Sequence, residues 1–335
     1  MIRGRPFLPA AALLLLAGGC APEIQVSGTA SLTPELQRDY IQTADGIRLP
    51  LRAWLPAKKP KAVILGLHGM NDYNMSFAIP AERWRQEGIA TYAYDQRGFG
   101  GTPQLGIWPG IDRLVSDFNT AVALVRRRHP GVPIYASGTS MGGSVVLTAM
   151  ARPDAPHVEG IILEAPAVWS RETMPFYYRT TLWLASHTIP QFRLSGREVT
   201  RIPTDNKEVL RDLGRDPYVL KGARIDAVYG IVDLMDAAYA SAANVRVPVL
   251  LLYGEKDQII PKAPIEAVAR RLPEGLKRVA VYENGWHLLY RDLQAEIVHR
   301  DVAAWIANHA ASLPSGADAS KSARLIAGER GANGQ

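Results

Sequence analysis

Residues 138–142 read Gly-Thr-Ser-Met-Gly, a Gly-x-Ser-x-Gly pattern. A serine hydroxyl is a weak nucleophile at neutral pH and needs a positioned base. The pattern suits that chemistry because its glycines permit a sharp turn that lifts the hydroxyl clear of a strand end. The strand-like run Ile134–Ser137 precedes the turn, and a helix-like run opens at Met141. The amino terminus of that helix would favour negative charge developing near Ser140. Ser140 is therefore the candidate nucleophile.

Among seven histidines, His287 stands out as the candidate base. It lies in Asn284-Gly285-Trp286-His287, a loop directly after the strand-like run Arg278–Tyr282. His129, His157, His299 and His309 lie in or near helix-like segments, and His187 lies in a region without strands. An imidazole that takes up protons near neutrality also needs a partner to orient it. Asp257, in Gly254-Glu255-Lys256-Asp257 after the strand-like run Val247–Tyr253, is the candidate acid. Glu255 is a rival two residues earlier, and Asp233 and Asp236 are rivals with no strand to fix them.

A tetrahedral intermediate needs two donors for its oxyanion. The Met141 backbone N–H follows the nucleophile. The Met70 N–H lies in His68-Gly69-Met70-Asn71, after the strand-like run Ala62–Leu67. His68 is expected to brace that loop. Asp95-Gln96-Arg97-Gly98-Phe99-Gly100 follows the next strand-like run. It lacks the Lys and Ser/Thr of a phosphate loop and reads as a structural turn beside the site.

These residues sit where a parallel sheet would carry them. Short apolar runs (Ala62–Leu67, Ala90–Tyr94, Ile134–Ser137, Gly160–Leu163, Val247–Tyr253, Arg278–Tyr282) alternate with helix-like stretches at Ile111–Arg128, Met141–Ala151, Pro264–Arg271 and Leu293–His309. In the first of these helices Leu114, Val115, Phe118, Val122 and Val125 recur at helical spacing. Fully apolar strands alternating with helices predict an α/β fold, a mostly parallel sheet covered on both faces. Residues 169–244 show no strand pattern and are rich in bulky apolar side chains, from Trp169 to Phe192. They are expected to form a helical cap inserted between two strands. Its apolar residues supply the cap's own small core, and some line a substrate entrance. The globular domain is expected over 36–311, preceded by a polar tether (20–35) and followed by a disordered tail (312–335).

Composition narrows the classes. The chain has 335 residues, 47% hydrophobic and 21% charged, which excludes a disordered chain, a coiled coil or a fibre. The net charge of +6 comes from scattered basic residues, so no nucleic-acid partner is expected. One cysteine excludes a disulfide framework and a cysteine-built metal site. No cofactor or metal is expected. Oligomeric state is not legible. Residues 1–19 carry Arg3 and Arg5, an apolar stretch from Phe7 to Ala17 and then small residues, the pattern of a secretory signal peptide. The lone Cys20 follows Leu16-Ala17-Gly18-Gly19, which resembles a bacterial lipobox, with Ala17 where Leu is usual. That resemblance implies lipidation at Cys20 and a place in the bacterial envelope, on the periplasmic face of the outer membrane. More than one acyl chain would anchor the protein stably there.

The set His68-Gly69, Asp95-x-Arg97-Gly98-x-Gly100, Gly138-x-Ser140-x-Gly142, Gly254-x-x-Asp257 and Gly285-x-His287 resembles the α/β-hydrolase superfamily. Within it the chain is similar to the monoacylglycerol lipase and lysophospholipase group, also called serine aminopeptidase S33-like hydrolases. Gly142-Gly143 and Asp216-Pro217 share that likeness, which covers about residues 39–309. The order Ser140, Asp257, His287 is the one such folds use. The resemblance implies ester hydrolysis through an acyl-enzyme, with Ser140 as nucleophile, His287 as base and then acid, Asp257 as orienter, and Met70 and Met141 as oxyanion donors. The loop after His68-Gly69 reads Met-Asn-Asp-Tyr instead of the commoner small and acidic residues. Lipid-like esters such as monoacylglycerol or lysophospholipid are the expected substrates. Two alternatives stand beside this: an aminopeptidase or amidase on the same triad, with Asp205, Glu208, Asp212 or Asp216 holding a substrate ammonium, and a non-catalytic envelope lipoprotein.

Overall fold

The computed structural model describes residues 21–195 and 201–327. The signal segment and Cys20 lie outside the described residues, as does the end of the tail. Five strands are buried along their whole length: β4 (Ala62–Leu67), β5 (Ile89–Tyr94), β6 (Ile134–Thr139), β7 (Gly160–Glu164) and β10 (Val249–Gly254). With β11 (Lys277–Tyr282) they pair in parallel. A strand covered on both faces has no side for polar residues, so its sequence reads as a continuous apolar run.

Three further strands extend the sheet: β1 (Glu35–Leu36), β2 (Tyr40–Gln42) and β3 (Arg48–Trp54), with β3 antiparallel to β5. The order across nine strands is β1-β2-β3-β5-β4-β6-β7-β10-β11. Helices cover both faces: α1 (Ala78–Gln86), α2 (Ile111–Arg128), α3 (Met141–Met150) and, further along, α7 (Lys262–Arg271) and α8 (Ala295–Ala307). In α2 the expected stripe, Leu114, Val115, Phe118, Val122 and Val125, is buried. Every residue of α3 is buried, because the insertion packs over its outer side.

That insertion lies between β7 and β10. It comprises α4 (Phe176–Thr188), a two-stranded ribbon of β8 (Arg193–Ser195) and β9 (Gly222–Arg224), α5 (Lys207–Arg215) and α6 (Ile225–Ser241). The ribbon is a departure from the strand-free expectation; its strands are too short to show an alternating pattern. A second departure concerns α4. Of its residues only Ser186 is buried, and Phe176, Tyr177, Tyr178, Trp183 and Leu184 are exposed. The aromatic residues therefore do not form a small internal core.

Both ends of the domain also differ from expectation. The tether is docked: Ile24 bridges to Trp108, Glu23 pairs with Arg224 at 2.6 Å, and Glu35 already belongs to β1. Residues 312–327 of the tail are ordered, ending in helix α9 (Lys321–Ala327). Ala323 and Ile326 are buried in the main core, and Asp318 pairs with Arg278. The Ala317 carbonyl accepts from Val281 N–H of the edge strand β11 at 3.1 Å, which shields part of an otherwise open edge. Composition alone suggested disorder; burial of two apolar side chains and an ion pair with a strand residue overrides it.

Candidate active site

Parallel strands end at one edge of a sheet, so the loops after β4, β6, β10 and β11 emerge together. Ser140 stands between β6 and α3 with φ 50 and ψ −113, a backbone region that a residue with a Cβ adopts only under constraint. The constraint is visible. A Cβ on Gly142 would lie 2.2 Å from the Leu67 carbonyl oxygen, and one on Gly138 would lie 2.4 Å from the Gly142 carbonyl. The helix therefore starts hard against β4, and only glycines allow it. Ser140 N–H donates to the Glu164 carbonyl at 2.9 Å, and the Ser140 carbonyl accepts from Ala167 N–H at 3.0 Å. Ser140 is thus held from the β7 side as well as from its own strand.

Asp257 and His287 meet. His287 Nδ1 lies 2.8 Å from Asp257 Oδ2, and the two side chains are 6% and 0% exposed. The other carboxylate oxygen accepts from the amides of Ile259 at 2.7 Å and Ile260 at 3.0 Å. A carboxylate oxygen accepts, so the shared proton belongs to Nδ1, which leaves Nε2 as an acceptor. The two loops are joined through their backbones: Glu255 N–H donates to the Tyr282 carbonyl and Lys256 N–H to the Gly285 carbonyl, both at 3.0 Å. A Cβ on Gly254 would lie 2.4 Å from that Gly285 oxygen. The glycines of Gly254-x-x-Asp257 and Gly285-x-His287 are the points where the loops touch.

The loop after β4 approaches the serine. A Cβ built on Gly69 would sit 3.5 Å from the Ser140 Cβ, so Met70 follows directly from a residue in contact with the Ser140 turn. Met141, the first residue of α3, is fully buried, and Met70 packs half-buried against the core. His68 braces this loop as expected. Its Nε2 accepts from Gln96 N–H at 2.9 Å and its Nδ1 lies 2.7 Å from the Gly69 carbonyl. Complete burial pushes its imidazole below the ordinary histidine range. The Asp95 loop is structural too. Asp95 accepts from Asn74 N–H and Gly101 N–H, each at 2.8 Å. Arg97 is clamped between Asp45 and Asp117, both nearly inaccessible.

The rival residues are engaged elsewhere. Glu255 binds Lys262 at 3.0 Å, and Asp233 and Asp236 both bind Arg171. His187 stacks on Trp183, and His129 Nε2 lies 2.8 Å from the Tyr92 hydroxyl. Of the acidic cap residues, Asp216 accepts from the Tyr73 hydroxyl at 2.6 Å and Asp205 from Leu293 N–H at 3.0 Å.

Sequence reading missed three groups at the site. Asp72, two residues after Met70, forms a buried ion pair with Arg291, four residues after His287. Tyr73 stacks on Tyr218 of the insertion, with ring centroids 5.4 Å apart, tying the cap to the same loop. Glu164 ends β7 inside the site, where its carboxyl accepts from Tyr290 N–H at 2.8 Å and binds the Thr139 hydroxyl. Burial pushes that carboxyl up to about 7, against the opposing pull of its hydrogen bonds, Arg291 and His287. The signal for Asp72 and Glu164 was their loop-after-strand position, shared with Asp257. Among the described residues no cluster of three His, Cys, Asp or Glu side chains is placed to hold a metal ion, and no helix is long and apolar enough to cross a membrane.

A mostly parallel sheet with an inserted cap, a strained serine at a strand–helix turn and a buried Asp–His pair at the same edge define an α/β-hydrolase. A family model described as serine aminopeptidase, S33 matches residues 58–294, and the chain belongs to that family of hydrolases. It is 27% identical over 270 residues to a monoacylglycerol lipase of Mycolicibacterium smegmatis, covering 79% of this chain and 94% of the relative. It is 26% identical over 285 residues to a monoglyceride lipase of Rattus norvegicus, covering 81% and 91%. Among solved structures it is similar to a soluble variant of the Saccharomyces cerevisiae monoglyceride lipase. That likeness has a TM-score of 0.69 and 22% identity and covers 84% of this chain and 97% of the other. The chain is accordingly a monoacylglycerol-lipase-like enzyme of this fold.

Proposed function

We propose that this enzyme hydrolyses carboxylic esters of lipid-like substrates, of the monoacylglycerol or lysophospholipid type, through an acyl-enzyme on Ser140. The observation that carries the reading is the Asp257–His287 pair, 2.8 Å apart and buried, at the sheet edge where the Ser140 turn opens. His287 Nε2 takes the serine proton as the hydroxyl attacks the ester carbonyl and then returns it to the leaving alcohol. Asp257 holds the imidazole in the required tautomer. The Met70 and Met141 amides receive the oxyanion. Water then repeats the sequence on the acyl-enzyme, with His287 again as base.

Two features favour an ester with an acyl chain over a peptide. The insertion beside the site exposes Phe176, Trp183, Leu184 and Phe192, and the curated relatives are named for acylglycerols. Of the acidic residues that a free amino terminus would need, Asp216 and Asp205 already have partners.

The sequence of residues 1–20 supports export and lipidation at Cys20. The chain just beyond it reaches the cap, where Glu23 meets Arg224. The next residue, Ile225, donates its N–H to the carbonyl of exposed Phe192 at 3.0 Å. An anchor at Cys20 would hold this apolar edge near a lipid surface.

The test compares the hydrolysis of short- and medium-chain p-nitrophenyl esters and of an amino-acid anilide by the protein and by Ser140→Ala. Ester turnover is expected in the first and lost in the second. Equal rates in both would end the reading, and a preference for the anilide would turn it to the amidase. Failure of a fluorophosphonate probe to label Ser140 would favour the non-catalytic envelope protein. Incorporation of labelled fatty acid, lost in Cys20→Ser, tests the anchor.

A further inference from the structure

Three bonds converge on Glu164. Its backbone carbonyl accepts from Ser140 N–H at 2.9 Å. One carboxyl oxygen binds the hydroxyl of Thr139, the residue before Ser140. The other accepts from Tyr290 N–H at 2.8 Å, three residues beyond His287. Tyr290 is fixed on its remaining sides, its hydroxyl 3.0 Å from Ser137 Oγ and its carbonyl 3.0 Å from His299 Nε2. Glu164 is therefore the one described side chain whose carboxyl joins the strand end that carries the nucleophile to the loop that carries the base. A neutral, shorter side chain would satisfy β7 as a strand, so the fold by itself does not call for an acid in this interior position.

We propose that Glu164 is a positioning residue of the site: its carboxyl sets the separation of the Ser140 turn from the His287 loop. The proposal rests on the reading of Ser140 and His287 given above. The carboxyl is held on both oxygens, by Thr139 on the strand side and by Tyr290 on the loop side, so neither element can shift without losing its bond to the other. Arg291, on the same loop as Tyr290, is paired with Asp72. Burial pushes the Glu164 carboxyl up to about 7.

The experiment measures kcat and KM on a soluble ester for wild type, Glu164→Gln, Glu164→Ala, Thr139→Val and Ser140→Ala. Glu164→Gln keeps the shape and an acceptor for Tyr290 but loses the charge. It keeps the clamp and is expected to hold kcat within about threefold of wild type. Glu164→Ala removes the clamp and is expected to lower kcat more than about tenfold with KM within about twofold. Should the alanine variant fail to fold, Thr139→Val reads the same clamp from its other end, with a smaller loss in kcat and KM again held. A loss of kcat in Glu164→Gln as deep as in Glu164→Ala, or wild-type kcat in either Glu164→Ala or Thr139→Val, overturns the proposal while Ser140→Ala remains inactive. Wild-type rates in Ser140→Ala instead overturn the reading of the site itself.

Discussion

Asp257 divides its carboxylate between two tasks: Oδ2 lies 2.8 Å from His287 Nδ1, while Oδ1 is held by the amides of Ile259 and Ile260. The backbone thus fixes Asp257, and Asp257 in turn holds the His287 ring. In Asp257→Asn the amide keeps the shape but offers Nδ1 a donor if its nitrogen faces the ring, which favours the wrong tautomer. kcat on a p-nitrophenyl ester is expected to fall by about 10³–10⁴. A loss below about tenfold would mean that this pair does not orient the base.

The close approach of α3 to β4 gives a second prediction. In Gly142→Ala the new methyl would meet the Leu67 carbonyl at 2.2 Å, a backbone atom that has no side-chain rotamer to yield. A cost of roughly 1–3 kcal/mol is expected, read as a fall of several degrees in Tm, with loss of fluorophosphonate labelling because the turn that presents Ser140 must shift. A variant with wild-type Tm and labelling would show that the contact relaxes freely.

Arg97 supplies a third. Its guanidinium binds Asp45 at 2.7 Å and Asp117 at 2.6 Å, and all three side chains are buried. Arg97→Met fills much of the volume but leaves two carboxylates without their cation. Breaking a buried ion pair from one side costs about 3–5 kcal/mol, so urea unfolding should register a loss of that order. A loss within about 1 kcal/mol would place these carboxylates in contact with water.

A fourth concerns acid stability. Burial pushes the His299 imidazole down to about 4, against the opposing effect of its contact with the Tyr290 carbonyl. The unfolded chain binds this proton near pH 6.5, so between pH 6.5 and 4 the unfolded state holds more protons and stability falls as the solution is acidified. The contribution is fully present above pH 6.5, and roughly 3 kcal/mol is lost by pH 4. Glu164 acts with the opposite sign: its raised carboxyl adds stability in acid that is lost as pH rises through about 7. Comparing urea unfolding of wild type with His299→Gln at pH 7 and pH 4.5 cancels the Glu164 part. The wild type is expected to lose about 2 kcal/mol more than the variant over that interval, and equal losses would refute the assignment.

Much of the site could be read from neighbours in the chain. The runs that became β4 and β10 read as continuous apolar stretches because both faces of each strand are covered, and the turns after β4, β6 and β10 announce themselves by glycine. Ser140, Asp257 and His287 were singled out in this way, and the structure brings the last two into contact; His68 braces its loop as its position suggested. The first two strands were not: β1 and β2 are two and three residues long, too short for any period to register.

What the sequence determined by itself was local: where the chain extends, where it turns sharply, and which polar residues sit at strand ends. Those properties depend on φ, ψ and the side chains a few positions away. Only the tertiary structure decided the rest, because it depends on pairs far apart in the chain. Asp72 meets Arg291 across 219 positions and Glu164 meets Tyr290 across 126. The same rule explains why α4 leaves its aromatics exposed and why Ala323 and Ile326 are buried: an apolar residue reports that it benefits from burial, and the packing of distant elements settles whether anything is there to cover it.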